Sequence, residues 1–229
     1  MMYLTGTASP AIRAHAVEYG DVGLLNTPNS NYKIHDWPIW AADNGAFNAK
    51  TYVGDDKWFA WLEGKAEHAG NCLFATAPDV VGDAQATLDR SAPWLPRIRS
   101  LGFRAALVAQ DGLEDLDVPW DTFDVLFIGG STEFKLSSAA VQLANEARQQ
   151  GKSVHCGRVN SYKRLRFAAE DLCCDTADGT FLAFGPDTNL PRLRAWFTKL
   201  AEPTLFAPAH ADERAELSAP ARTPSPEAS

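Results

Sequence analysis

Short apolar runs alternate with amphipathic stretches along most of the 229-residue chain. The runs have the length of buried strands, and the stretches between them carry apolar residues at helical spacing. The runs predicted as strands are residues 2–6, 22–27, 39–43, 72–79, 105–110, 125–130, 153–158 and 172–176. The clearest predicted helices are 55–69, 83–101, 136–150 and 160–170, with only a short helix in 111–124. This α/β alternation predicts a compact (β/α)8 TIM barrel, ahead of an open doubly wound sheet.

The composition changes at residue 203, after which the chain is rich in Pro, Ala, Ser and Glu. Such a segment has little apolar surface to bury, so we predict a disordered tail over 203–229 and one barrel domain over 1–202. The chain has no run of about 18 apolar residues, and its first residues lack a basic segment followed by an apolar one. We therefore expect a cytoplasmic protein with no membrane contact.

The four cysteines are too few for a disulfide scaffold, and none has the C-x-x-C or C-x-C spacing of a zinc site. The five histidines are scattered, so we expect no metal and no cofactor. No lysine follows a predicted strand, which argues against a Schiff-base barrel enzyme. Cys173 and Cys174 lie in the last predicted strand, where we expect them to point to opposite faces, one into the barrel and one toward the helices.

The net charge of −8 argues against indiscriminate binding to nucleic acid, but a local basic surface remains possible. Residues 158–166 contain Arg158, Lys163, Arg164 and Arg166 and no acidic residue. Most clusters of this kind are solvated helix faces. The alternative for this segment is contact with a phosphate backbone.

In a barrel the active site lies at the carboxyl ends of the strands. Polar residues or glycines follow each predicted strand from the third to the eighth. Any single aspartate among them could be a turn or N-cap residue, but their recurrence indicates a site. We interpret Asp178 as part of the turn after the eighth strand. The candidate site residues are Asp43, Asn44, Gly45, Asp79, Asp83, Gln110, Gly129, Gly130, Arg158 and Asp175.

These residue types suit a flat, hydrogen-bonding ligand. Carboxylates accept from ring N–H and amino groups, Gln110 donates to a carbonyl, and Gly129–Gly130 offers backbone N–H groups. One carboxylate could attack a sugar carbon, as in retaining glycosidases, while another serves as acid or base. The glycine pair could instead admit a phosphate, which leaves open a phosphate-binding isomerase or a non-catalytic nucleoside-binding barrel.

The order of these motifs resembles the tRNA-guanine transglycosylase superfamily, whose barrel enzymes exchange an encoded guanine for a 7-deazaguanine. DNGAFN at 43–48 is similar to the family's D-S-G-G-F-Q motif, and GGS at 129–131 to its G-G-L/S motif. The PDVVGD region at 78–83 and Gln110 match the family's aspartate and glutamine after strands four and five. CDTADGT at 174–180 resembles the F-D-C-V-x-P-T motif that carries the nucleophile. The resemblance runs from residue 1 to about residue 200.

The resemblance implies that Asp175 is the nucleophile that attacks C1′ of the target nucleoside. It implies that Asp43 is the acid/base and also contacts the base. Gln110 and Gly130 would recognise the incoming base, together with Asp79 or Asp83, of which Asp83 is preferred. No cofactor is implied.

The family's tRNA enzymes carry a C-x-C-x-x-C…H zinc site in a C-terminal subdomain, and this chain has no such spacing. The chain is more similar to the short DpdA-like branch of phages and genomic islands, which inserts 7-deazaguanines into DNA. The resemblance therefore favours DNA over tRNA, a free base such as preQ0 as second substrate, and the host cytoplasm if the chain is phage-encoded. It also leaves room for a partner protein that opens the duplex.

Overall fold

The computed structural model describes residues 1–202, and the tail predicted over 203–229 lies outside them. Eight parallel strands close into a barrel in chain order, with β1 paired to both β2 and β8. This closure confirms the TIM barrel and contradicts the open doubly wound sheet. The strands are β1 (Met2–Thr5), β2 (Val22–Asn26), β3 (Trp40–Ala42), β4 (Cys72–Thr76), β5 (Ala105–Ala109), β6 (Val125–Ile128), β7 (Ser153–Cys156) and β8 (Thr176–Gly179).

The helices lie between the strands in the chain. They are α1 (Pro10–Tyr19), α2 (Asp55–Glu63), α3 (Ala84–Ser91), α4 (Leu95–Ser100), α5 (Thr132–Lys135), α6 (Ser138–Gln149), α7 (Tyr162–Glu170) and α8 (Pro186–Ala201). Ser9, Ser137 and Ser161 cap α1, α6 and α7 by accepting a backbone N–H of the first turn. The helix predicted over 83–101 is divided in two, because Pro96 cannot donate and stands in the first turn of α4. Residues 111–124 hold 3-10 turns at 113–115 and 120–122 rather than an α-helix.

Apolar strand residues alternate between two hydrophobic cores, as the period of a strand requires. A small core fills the barrel interior and includes Leu4, Phe74, Val108 and Phe127. A larger core lies between the strands and the surrounding helices. The interior core stops short of the carboxyl ends of the strands, and polar side chains follow there.

The eighth strand begins later than predicted. β8 spans Thr176–Gly179 and pairs with β1, whereas residues 172–174 belong to the turn that follows α7. Leu172 and Cys174 are buried in the outer core, and Cys173 has a φ of 49°, in the left-handed region. The prediction that Cys173 and Cys174 alternate across a strand is therefore wrong. The apolar run at 172–174 belongs to a turn whose residues Leu172 and Cys174 are buried in the outer core.

Candidate active site

A pocket of about 390 Å³ opens at the carboxyl ends of the strands, which is the size of a small-molecule site. Another cavity, of about 480 Å³, lies outside the barrel between α3, α4 and residues 119–122, away from the strand ends. Of these two cavities, only the pocket at the strand ends is lined by predicted site residues. That pocket is lined by Asp43, Asn44, Phe47, Thr76, Asp79, Val81, Val108, Gln110, Phe127, Gly129, Gly130, Gly157, Arg158, Asn160, Asp178 and Thr180.

Asp43 follows β3 directly and lines the pocket. Its Oδ1 accepts the Gly45 N–H at 2.6 Å, and Gly45 has a φ of 76°, a conformation that glycine adopts readily. Gly45 thus holds Asp43 in place and is not itself part of the lining. Burial raises the pKa of Asp43 to about 7, against the Gly45 hydrogen bond and with a further contribution from the carboxylates of Asp178 and Asp79. Near neutral pH, Asp43 is divided between its acid and base forms.

Asp79 joins two amide side chains at the pocket wall. Its Oδ2 accepts from Gln110 Nε2 at 2.6 Å, and its Oδ1 accepts from Asn44 Nδ2 at 2.8 Å. Asn44 also donates to the Ala77 carbonyl at 2.7 Å, while Gln110 accepts the Gly82 N–H at 2.9 Å. Burial raises the pKa of Asp79, and the two amide hydrogen bonds oppose that shift. The structure thus brings these three predicted residues together as one fixed polar edge.

Asp83, the preferred candidate after strand four, lies outside this edge. It is the N-cap of α3, where its Oδ1 accepts the Ala86 N–H at 3.0 Å, and its side chain is exposed. The preference for Asp83 over Asp79 is therefore wrong. An aspartate just before a helix is a common cap, and this capping role accounts for its position.

Gly129 and Gly130 form a wall of the pocket after β6. A Cβ at position 129 would lie 2.5 Å from Val108 Cγ1, and one at position 130 would collide with Asp111 Oδ2. Neither position has room for a side chain, so the pocket wall here is bare backbone. Asp111 braces the loop by accepting the Ser131 N–H at 2.7 Å and its hydroxyl at 2.5 Å. Although burial works against the charge, these hydrogen bonds hold the pKa of Asp111 below its ordinary value.

Asp178, interpreted from the sequence as a turn residue, lines the pocket from within β8. Its Oδ1 lies 3.0 Å from His155 Nε2 and accepts the Arg158 N–H at 3.3 Å. His155 Nδ1 lies 2.8 Å from Thr176 Oγ1, and its ring packs on two phenylalanine rings at centroid distances of 4.9 and 4.4 Å. His155 therefore fixes the carboxyl group through one oxygen. Within residues 1–202, Oδ2 of Asp178 accepts no hydrogen bond.

Asp175 lies at the opposite end of the barrel. It precedes β8, and its N–H donates to the Val154 carbonyl while its Oδ2 accepts the Val154 N–H, both at 2.9 Å. Its carbonyl accepts the Met2 N–H at 3.0 Å, and its side chain is exposed. The prediction that Asp175 stands where the eighth strand opens into the site is therefore wrong. In the same motif, Asp178 occupies that position.

Arg158 and Phe47 stack at the pocket mouth. The Arg158 guanidinium lies 4.4 Å from the centre of the Phe47 ring and donates to the Gly130 carbonyl. Phe47 is 63% exposed, an unusual position for a phenylalanine. Arg158 is thus placed in the site, as predicted, whereas Phe47 lines the site without having been predicted. The signal for Phe47 in the sequence is an aromatic residue inside the polar loop DNGAFN.

Thr76 and Asn160 are further polar residues of the lining that were not predicted. Thr76 ends β4, and its buried hydroxyl has no hydrogen-bond partner within residues 1–202. Asn160 accepts the Thr180 N–H at 2.7 Å.

Asp178 does have a signal in the sequence, which is the alternation in T-A-D at 176–178. Two polar residues at period two can both face a barrel interior.

The described part of the chain offers no cluster of three or more His, Cys, Asp or Glu residues able to hold a metal ion. Over the same residues, no helix combines the length and apolar character needed to cross a membrane. The site contains carboxyl, amide, imidazole and guanidinium groups, together with bare backbone.

No protein-family model and no curated protein matches the chain. Among solved structures, tryptophan synthase from M. tuberculosis in an aminoacrylate-bound form is 15% identical, with a TM-score of 0.50 over 87% of this chain and 90% of that chain. A ligand-free form of that enzyme is 16% identical, with a TM-score of 0.50 over 87% of this chain and 91% of that chain. The Bacillus subtilis YkuI protein, with an EAL domain and bound c-di-GMP and calcium, is 15% identical. Its TM-score is 0.42, over 90% of this chain and 49% of that chain. At these identities the tryptophan synthase match carries the fold alone, and the chain is a TIM barrel.

Proposed function

We propose that this chain is a transglycosylase that exchanges a guanine base in nucleic acid for a 7-deazaguanine such as preQ0. The observation that carries the proposal is the convergence of Asp43, Asp178 and the Asp79–Gln110 pair on one pocket. Asp178 replaces Asp175 as the nucleophile. DNA is favoured over tRNA as the substrate because the chain lacks the C-x-C-x-x-C…H spacing of the tRNA enzymes and in this is more like the short DpdA-like branch.

The polar edge suits the recognition of a purine. Asp79 accepts from ring N–H and exocyclic amino groups, and the amides of Gln110 and Asn44 hold its oxygens in place. Gly129 and Gly130 let the base approach the backbone closely. The exposed Phe47 ring provides a surface for stacking. A guanine within a duplex would have to be flipped out of the stack, at a cost of a few kcal/mol.

In the first half of the reaction, one Asp178 oxygen attacks C1′ of the target nucleoside. The C1′–O bond forms as the C1′–N9 bond breaks, and the bonding electron pair leaves with guanine. The acid form of Asp43 gives its proton to the departing base. His155 holds Oδ1 of Asp178, so Oδ2 is the oxygen left to attack.

In the second half, the Asp43 carboxylate removes the N9 proton of the incoming 7-deazaguanine. N9 then attacks C1′ and displaces the Asp178 carboxylate. Asp43 ends protonated and Asp178 ionised, as at the start, so the exchange needs no oxidant, reductant or cofactor. A pKa of about 7 lets Asp43 serve in both directions near neutral pH.

The test uses labelled guanine, offered with either a single-stranded DNA oligonucleotide or tRNA. We expect the label to enter DNA, and a denaturation-resistant protein–DNA adduct to be detectable by mass spectrometry. Asp178→Asn should lower the exchange rate about 10³-fold or more and remove the adduct. Asp175→Asn is the matched control, since it changes an exposed aspartate three positions earlier. Exchange by Asp178→Asn at the wild-type rate would overturn the assignment.

A non-catalytic nucleoside-binding barrel is the alternative that the same pocket supports, because the base contacts do not themselves require a reaction. A phosphate-binding isomerase is the other, and it would use the bare backbone at Gly129–Gly130. Both predict ligand binding with no label exchange and no adduct. The labelling experiment therefore separates the transglycosylase from both alternatives.

A further inference from the structure

A second, small cavity adjoins the pocket. Gly157 and Arg158 line both, and Lys135 and Arg164 line only the smaller one. The smaller cavity has a volume of about 10 Å³, which is room for one water-sized group. A single phosphoryl oxygen has that size, whereas a base or a sugar does not.

Lys135 is a buried cation without a partner. It ends the short helix α5, its side chain is 3% exposed, and Nζ has no hydrogen-bond partner within residues 1–202. Burial, together with the positive charges of Arg158 and Arg164, lowers the pKa of Lys135 to about 8. At pH 7 the ammonium group is still mostly protonated. A buried charge with no protein partner is costly to the fold, and an anionic group in the adjoining cavity would offset that cost.

The two arginines add positive charge that no carboxylate neutralises directly. Arg158 donates to the Gly130 carbonyl, and Arg164 Nη1 donates to the Arg158 carbonyl at 3.4 Å. Among the described residues, neither forms an ion pair within 4 Å. Asp178 is the acid whose charge reaches Lys135, and its Oδ1 is already engaged by His155.

The nine-residue helix α7 begins at the same place. Ser161 caps it, its first turn has no acidic residue, and Arg164 stands in that turn. The amino end of a helix carries partial positive charge and favours anions. The helix end and the three cations therefore point to one class of ligand.

We propose that Lys135, Arg158 and Arg164 form a subsite for a phosphate group of the nucleic-acid strand, next to the nucleoside held in the pocket. The subsite rests on the proposed function and extends it, because it identifies how the strand is held once the base has entered. It also reconciles a net charge of −8 with a polyanionic substrate, since the positive charge is concentrated beside the reacting nucleoside.

The first experiment measures binding, so that it does not depend on exchange. Fluorescence anisotropy with a labelled single-stranded DNA oligonucleotide is recorded from low to high salt. Lys135→Met should weaken binding about tenfold, since a charge-assisted contact is lost. It should also reduce the slope of log K against log salt by about 0.7, the value for one phosphate on a single strand.

Lys152→Met is the matched control, because it removes the same charge just before β7, at the opposite end of the barrel. It should leave both affinity and salt slope unchanged. Arg164→Met provides a second variant of the subsite, with thermal melting to verify that each variant is folded. Wild-type affinity in folded Lys135→Met and Arg164→Met, or an equal loss in Lys152→Met, would overturn the subsite.

The second experiment replaces single phosphates beside the target guanosine with uncharged methylphosphonates. One such replacement should weaken wild-type binding and leave Lys135→Met unaffected, because both changes remove the same contact. Independent, additive losses at every position would contradict the proposal. Inorganic phosphate tests whether the phosphate group comes from a free anion instead of the strand. If inorganic phosphate binds in a Lys135-dependent way while the oligonucleotide does not bind, the strand is excluded as the ligand.

The outcomes for the subsite and for the function are distinguishable. Lys135-dependent binding of the oligonucleotide without label exchange would retain the subsite and contradict transglycosylation. Exchange with no dependence on Lys135 in affinity or salt slope would retain the function and contradict the subsite.

Discussion

The two ends of the barrel use the same residue type in opposite ways. At the amino end, Asp124 and Asp175 accept backbone N–H groups of neighbouring strands, and Asp124 also pairs with Arg99 at 2.7 and 3.0 Å. At the carboxyl end, Asp43 and Asp178 line the pocket. The amino-end carboxylates lie outside the pocket and connect elements of the fold, whereas the other two face the pocket.

The pKa values of Asp124 and Asp43 show the same contrast. Burial opposes the charge of Asp124, but Arg99 and the Ala105 N–H outweigh it and hold the pKa of Asp124 below its ordinary value. For Asp43, burial dominates and the pKa rises to about 7. The ionised form of Asp124 therefore favours the folded state, and the ionised form of Asp43 disfavours it. Substitutions at the two ends should have opposite effects on activity and on stability.

Asp43→Asn tests this contrast between the two ends, and we expect it to have the largest effect on activity. The amide can still accept the Gly45 N–H, but it cannot transfer a proton. We expect the exchange rate to fall about 10²- to 10⁴-fold. Rates measured from pH 5 to 9 should show a limb near pH 7 in the wild type that is absent from the variant. An unchanged limb would assign that titration to another group.

The same variant should alter how stability depends on pH. Because the pKa of Asp43 is higher in the folded protein than its ordinary 3.8, the folded state binds the proton more tightly. The wild type should therefore lose stability as the pH rises from about 4 to 7, by roughly 3 kcal/mol, and Asp43→Asn should lack this loss. Chemical denaturation at pH 5 and pH 8 measures the difference. Equal pH dependence in both proteins would contradict the assignment.

Asp124→Asn should have the opposite profile. It weakens two hydrogen bonds with Arg99 and one with the Ala105 N–H, so we expect the free energy of unfolding to fall by about 2 kcal/mol. The pocket is at the other end of the strands, so label exchange by the folded protein should stay within about twofold of wild type. A large loss of exchange without loss of stability would break the division between the two ends.

Asp175→Asn should have the smallest effect. The side chain is exposed, and it contributes one hydrogen bond, to the Val154 N–H. We expect a loss of about 1 kcal/mol in the free energy of unfolding, and wild-type exchange. Urea denaturation alongside the exchange assay tests both parts.

The barrel could be predicted because its strands are apolar and its helices periodic. The same rule failed at the eighth strand, where Leu172 and Cys174 are buried in a turn and the strand itself is polar. Asp83 and Asp79 could not be separated either, because whether an aspartate caps a helix or lines a pocket depends on where α3 begins. Lys135 gave no signal at all, since the residues that line the small cavity with it, from Cys156 to Phe167, are distant in sequence.

The pairing of β8 with β1 has a consequence for assembly. Asp178 stands opposite Leu4, so almost the entire described chain separates Asp178 from the strand beside it. Contacts between such distant segments are slow to form, because the loop they close is long. The pocket is therefore completed only when the ring of strands is joined. A nascent chain that has not yet released residue 179 from the ribosome holds Asp43 and Asp79, but it cannot yet place Asp178 beside β1 in the pocket.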